Sequence, residues 1–402
     1  MMHLPAVLPS AVVKCGDSPR RGADRPARKP RIAFVQPQAE AAGAQEISRI
    51  LGLGLAAKGY DVHHVFFFRR TTAFDEQPNT FFCMPGRLTG ILDVVRTFIT
   101  LVRHLRMLRP DAVLCLQHYG NIVGAVAARL AGTRAIIANR TSASSLVPWW
   151  ARAVDLLLGG VGLFKRVVVN SKAIEDEYRR YPSFYRSRVL RIDHGFACKR
   201  TDLSRDEARK LVGLPAGSTL LGCVARLHPG KNLAAAIRLL SFDRNWHLAI
   251  AGQGAEREQL LELANSLRVR DRVHFIGELS ADRIGVFLRA LDVFVFPTRA
   301  ETFGLAAVEA AQAGIPVIAN DLEVLREVLA VDGKPCALFV DADDVGAFAA
   351  AVQRILADKS LSAVMTARGR QLSRKYSLDV MVDQYDAMVE SILTRPMTVS
   401  RS

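Results

Sequence analysis

Short, wholly apolar runs alternate with amphipathic ones along most of this chain. RIAFVQ (31–36), VHHVFFF (62–68), AVLCLQ (112–117), AIIAN (135–139) and VVVNS (167–171) form a first set of predicted strands. LLGCVAR (220–226), HLAIAG (247–252), VHFIG (273–277), DVFVFP (292–297), PVIAN (316–320) and ALFVD (337–341) form a second. Between them lie stretches such as EREQLLELANSLR (256–268), whose apolar residues recur three and four apart, as on one face of a helix. Continuous apolar strands separated by helices predict parallel sheets covered on both faces.

The rhythm pauses between about 195 and 218, which divides the chain into two doubly wound halves. The expected organisation is a flexible basic segment over 1–30, a first domain over 31–197 and a second over 198–375. A last segment, 376–402, contains the helical pattern SLDVMVDQYDAMVESIL (377–393) and is expected to pack back on the first domain. A length of 402 residues agrees with two cores better than with one.

Composition changes this picture little. Half the residues are hydrophobic and 23% are charged, as in ordinary globular chains. No apolar run reaches the 18 or so residues of a membrane span, and the N-terminus lacks the pattern of a secretory signal. The six cysteines are scattered without a CxxC pair, and several fall inside strands, which suits buried thiols in a reducing cytoplasm.

The net charge of +15 asks for an anionic partner: nucleic acid, a membrane surface or a phosphorylated small molecule. Much of the excess lies in RTFITLVRHLRMLRP (96–110) and YRRYPSFYRSRVLR (178–191). The first reads as an amphipathic helix bearing Arg96, Arg103, Arg106 and Arg109, either a solvated face or a membrane-surface face. The basic residues are not interleaved into a base-stacking platform, so nucleic acid is not expected as a partner.

In open α/β sheets, ligands sit beyond the carboxyl ends of the strands, so the residues that follow strands matter most. After DVFVFP comes RAETFGLAAVEAAQAG (299–314), with Glu301 and Glu309 eight positions apart in an apolar stretch. A helix starting near Phe303, with Thr302 as its N-cap, would direct the free amides of Phe303, Gly304 and Leu305 into a cleft as an anion site. Eight helical residues span roughly 12 Å and return to nearly the same face. Two acids flanking an anion site suit a ligand with hydroxyls at both ends and phosphates between. Taken alone, the two acids are explained better by pairing of Glu301 with Arg299 at the surface and of Glu309 with a core polar group.

Other strand exits add to this. VARLHPGKN (224–232) brings Arg226 and Lys231 to one exit, where two cations can neutralise a diphosphate, or form a solvated turn. LCLQHYGN (114–121) places His118 at an exit, and QAEAAGAQE (38–46) places Gly43 at the first strand-to-helix turn. The GxG of HLAIAGQGAERE lacks the third glycine of a dinucleotide fingerprint, because Arg257 stands there. The DAD at 341–343 reads as helix capping rather than as a metal site.

Taken in order, these stretches resemble the retaining glycosyltransferases of family 4 (glycosyl transferases group 1), over residues 31 to about 390. The likeness is densest at VARLHPGKN, at AGQGAEREQLLELANSLRVRDRVHFIGEL, and at FVFPTRAETFGLAAVEAAQAGIPVIAN with the family's E-x7-E motif. It implies the GT-B fold, two Rossmann-like doubly wound domains facing across a cleft. It implies a UDP-sugar or GDP-sugar donor, transfer of a hexose, and no metal or other cofactor. By the same resemblance, Glu301 contacts the donor sugar and Glu309 the ribose. Arg226, Lys231 and the amides of Phe303, Gly304 and Leu305 hold the diphosphate. His118 lies near the transferred sugar, and Gly43 lies in the acceptor-side loop, where Ala42 replaces the usual second glycine. The acceptor is expected to be sugar or lipid-linked, for a cell-surface polysaccharide or glycolipid. The enzyme would then be cytoplasmic, peripheral on the cytoplasmic face of an anionic membrane. A sugar-nucleotide epimerase would share the donor cleft without needing an acceptor surface.

Overall fold

The computed structural model describes residues 29–40, 42–140 and 147–394. Residues 1–28, most of the segment expected to be flexible, lie outside the described residues, as do Cys15 and 395–402.

The first sheet contains β1 (Arg31–Ala39), β2 (Asp61–Arg69), β3 (Thr80–Met84), β4 (Ala112–Leu116), β5 (Ala135–Arg140), β6 (Arg166–Val169) and β7 (Val189–Arg191). Their order is β3-β2-β1-β4-β5-β6-β7, parallel throughout. The second contains β8 (Thr219–Val224), β9 (Trp246–Ala251), β10 (Val273–Gly277), β11 (Val293–Phe296) and β12 (Val317–Asn320). A small antiparallel hairpin, β13 (Ala330–Val331) and β14 (Lys334–Pro335), precedes the edge strand β15 (Ala337–Val340). The second order is β10-β9-β8-β11-β12-β15, again parallel. This is the GT-B architecture expected from the sequence.

Continuous apolar strands form because each sheet is covered twice. Ile32 and Phe34 of β1 point to one core, shared with the helix Gly43–Ala57, and Ala33 and Val35 point to another. Two strands of the main sheets escaped the pattern, as did the hairpin strands β13 and β14. TFFCM is only five residues long and follows a turn-rich stretch, and β7 is three residues inside what reads as a basic segment. The amphipathic helix begins earlier than its arginines suggest, at Ile91, and ends at Leu108. Arg109 is its C-cap in a left-handed conformation, not a member of the helical face.

The chain crosses between sheets twice, and the crossings touch. Phe196 N donates to Tyr376 O at 3.2 Å. The last helix, Leu378–Thr394, then lies on Gly43–Ala57: Val382 occupies the space left by Gly54, and Lys58 pairs with Asp383 and Asp386 at 2.6 and 3.0 Å. Tyr60 donates to Asp386 at 2.7 Å, and Tyr385 hydrogen-bonds Asn139. A Cβ on Gly195 would enter the Ser377 carbonyl, which is backbone and cannot rotate away. Gly195→Ala should therefore cost about 1–3 kcal/mol in urea unfolding. Gly217→Ala, where a Cβ meets nothing within 4 Å, should stay within about 0.5 kcal/mol. Equal effects would contradict the close crossing.

Candidate active site

The strand orders fix where a site can be. In each sheet successive connections run outward in opposite directions from one pair of neighbours, β1 and β4 in the first and β8 and β11 in the second. Loops leaving such a pair diverge and open a crevice. The sequence-predicted residues follow these four strands: Gly43 after β1, His118 after β4, Arg226 and Lys231 after β8, and Glu301 to Glu309 after β11.

At the second sheet, two exits are tied together by one carbonyl. Gly230 O accepts from Arg299 N at 2.9 Å and from Thr298 Oγ1 at 3.2 Å. Pro229–Lys231 forms a tight 3-10 turn, with Asn232 at φ +50°, and this delivers Lys231 to the acid loop. There Lys231 Nζ pairs with Glu301 and lies 5.9 Å above the Phe296 ring. Arg299, the partner that a simple reading of adjacent charges gives Glu301, instead bonds Asp343 at 2.7 Å. Asp343 also accepts from Asn232 at 3.3 Å, and it is Asp344, just beyond the DAD, that caps the helix Val345–Ala357.

The helix after this loop starts at Leu305, two residues later than expected. Gly304, not Thr302, is its N-cap, at φ +82° in the left-handed region that glycine adopts without strain. Thr302 Oγ1 instead accepts from Asn170 Nδ2 at 3.3 Å. Phe303 is buried, with its ring packed on His194, Phe196 and Tyr376. The amides at this helix start are the positive end of Leu305–Gln312. Leu305 reaches the first helix of the first domain, because a Cβ on Gly43 would come within 2.8 Å of its Cδ1.

Glu309 sits further along this helix. Burial pushes its carboxyl up to about 7, against the pull of Lys199 and with a further push from Glu46. Burial also pulls Glu46 upward, but its hydrogen bonds to Arg49 and the charges of Arg49 and Lys199 prevail and hold it low. The His118 ring lies tilted by 44° against that of Tyr119 with centroids 4.0 Å apart, and burial followed by the Arg140 charge lowers its pKa. It precedes a π-helical turn, Gly120–Gly124. Among the described residues no hydrogen bond joins His118 to Glu301 or Arg226.

The sequence reading missed Glu40. This buried carboxylate directly follows β1 and accepts from Gln38 Nε2 at 2.6 Å, from Arg70 at 3.0 Å and from Arg226 at 3.3 Å. An acid one residue past a strand was the available signal, but its partner lies 186 positions away. The GxG turn also finds its role here. Cβ atoms on Gly252 and Gly254 would enter the carbonyls of Ala225 and Leu227, so these glycines let the turn lie flat against the Arg226 loop. Among the described residues no group of three or more metal-ligating side chains is present.

Residues 42–200 match the family profile Glycosyltransferase Family 4, and residues 204–372 match Glycosyl transferases group 1. The chain belongs to family 4 of the glycosyltransferases. Among curated relatives it is 29% identical over 214 residues to the lipopolysaccharide core biosynthesis mannosyltransferase LpsB of Rhizobium meliloti, covering 50% of this chain and 60% of that one. It is 29% identical over 238 residues to the D-inositol 3-phosphate glycosyltransferase of Mycolicibacterium smegmatis, covering 57% of this chain and 54% of the relative. The matches thus span little more than half of these relatives' lengths. In fold the chain is similar to Anabaena HepE solved with UDP and glucose, with a TM-score of 0.78, 17% identity, and coverage of 90% of this chain and 99% of that one.

The raised Glu309 carboxyl has a stability consequence. A group that ionises near 4.5 when unfolded and near 7 when folded keeps an extra proton in the native state between those values. Native stability therefore falls as pH rises through that window. Glu309→Gln should flatten this fall and raise the urea midpoint of the ligand-free protein at pH 8 relative to wild type. Parallel pH profiles for the two proteins would contradict it.

Proposed function

We propose that this chain transfers a hexose from a UDP- or GDP-linked sugar to an acceptor, with retention at the anomeric carbon. The observation that carries the reading is the Lys231–Glu301 pair, formed where Gly230 ties the β8 and β11 exits together. A cation and an acid meet there beside the positive end of a helix. Arg226 and Lys231 hold the diphosphate, with the amides of Phe303, Gly304 and Leu305. Glu301, released from Lys231 by the phosphates, takes hydroxyls of the sugar, and Glu309 takes those of the ribose. The bond from the anomeric carbon to the phosphate oxygen breaks, and its electron pair leaves with the phosphate. The acceptor oxygen attacks the same face of an oxocarbenium-like centre, and its proton passes to the leaving phosphate oxygen. The protein supplies position and charge. His118 borders the transferred sugar, and Gly43 the acceptor.

The acceptor is lipid-linked or a precursor of a cell-surface glycan, in keeping with the name of the LpsB relative. The outer layer of the first domain supports a membrane location. The helices Ile91–Leu108 and Trp149–Gly160 cover the same face of the sheet and present Ile91 (74% exposed), Leu92, Trp149 (80% exposed), Trp150 and Leu157 outward. Arg96, Arg103, Arg152 and Lys165 are exposed among them, while Asp155 turns inward to Arg140. Tryptophan with arginine suits the interface of an anionic bilayer. No helix among the described residues is long and apolar enough to cross a membrane.

A panel of nucleotide-sugars tested by thermal shift should single out the donor by mass action. Glu301→Ala should abolish transfer while leaving the unfolding transition intact, and unchanged turnover would overturn the assignment. Products formed with and without membrane extract separate transfer from epimerisation. The protein should co-float with anionic vesicles at low salt, and a Trp149→Ala, Trp150→Ala double variant should lose most of that binding. Absence of wild-type flotation would remove the membrane part of the reading.

A further inference from the structure

We propose that Glu40 is a positioning residue: an internal anion that occupies Arg226 in the empty cleft and recaptures it from the nucleoside diphosphate after transfer. The inference rests on the reading of Arg226 as a diphosphate ligand. Its observation is the carboxylate itself, buried, with Arg70 Nη1 on one oxygen at 3.0 Å and Arg226 Nη1 on the other at 3.3 Å. Arg70 follows β2 of the first sheet and Arg226 follows β8 of the second, so the pair spans the cleft. Arg226 is half-exposed, with 52% of its side-chain surface accessible, and can swing away.

A buried carboxylate stripped of its cation is costly, and this limits when Glu40 can release a partner. Arg70 and Gln38 stay with it when Arg226 leaves, so the exchange leaves no orphaned charge. Burial and the Glu40 charge together push the nearby Glu278 carboxyl up, a sign that the negative field of Glu40 reaches into the cleft. A diphosphate entering that field must win Arg226 from a resident competitor. Once transfer is complete and the sugar's contacts are gone, the same competitor draws Arg226 back and favours release. Glu40 thus weakens ground-state binding of the product in return for faster turnover.

The test is titration calorimetry with UDP and GDP, together with steady-state kinetics, on the full chain. Glu40→Gln removes the charge while keeping the shape. It should tighten binding of the nucleoside diphosphate about two- to fivefold, the scale of a partly exposed ion pair. It should lower the product-inhibition constant by the same factor and reduce kcat, while the donor KM falls. Glu40→Asp, which keeps the charge, should restore most of the wild-type behaviour. In an Arg226→Ala background the tightening should vanish. Unchanged or weaker binding in Glu40→Gln, or tightening that survives without Arg226, would overturn the role of Glu40. If Arg226→Ala leaves diphosphate affinity unchanged, or if neither UDP nor GDP binds the wild-type chain, the donor-site reading itself fails.

Discussion

The contact between the two chain crossings governs the relation of one sheet to the other. Phe196 and Tyr376 are hydrogen-bonded through their backbones, and Gly195 lies so close to Ser377 that no side chain fits between them. From this point the last helix runs over Gly54 and fastens to Lys58, Tyr60 and Asn139 of the first domain. A second tie forms nearby, where Glu327 accepts the amides of Lys172 and Ala173 at 2.7 and 2.8 Å and so caps a first-domain helix from the second domain. With the sheets held this way, the β1 and β4 exits face those of β8 and β11. Arg226 can then meet Glu40.

Within the crevice, charge is balanced locally. Glu301 has Lys231, Glu40 has Arg70 and Arg226, and Glu46 has Arg49. Glu309 and Glu278 depart from this pattern, and burial raises both carboxyls. Carboxylates in such a place need a cation, a proton or a ligand's hydroxyls. The empty crevice uses the first two, which explains how a family 4 glycosyltransferase tolerates several acids in otherwise apolar surroundings.

The architecture was largely legible in the chain because buried parallel strands leave continuous apolar runs, and eleven such runs locate strands of the two sheets. TFFCM follows a turn-rich stretch and is only partly buried, and the three residues of β7 sit among arginines, so neither stood out from its surroundings. The candidate site was legible to the level of strand exits. Its pairings were not, because they depend on long-range geometry: Lys231 is 70 positions from Glu301, and Arg226 is 186 from Glu40. Local rules misplaced the helix start for a similar reason. Thr302 looks like a cap by type, but Asn170 from the other domain claims its hydroxyl and Gly304 makes the turn.

Phe303 acts as an axle. Its ring is wedged against His194 and Phe196 on the outbound crossing and against Tyr376 on the return. The loop that carries Glu301 is therefore held by both crossings at once, so the place of its acid relative to the first domain is set where the chain passes between the sheets.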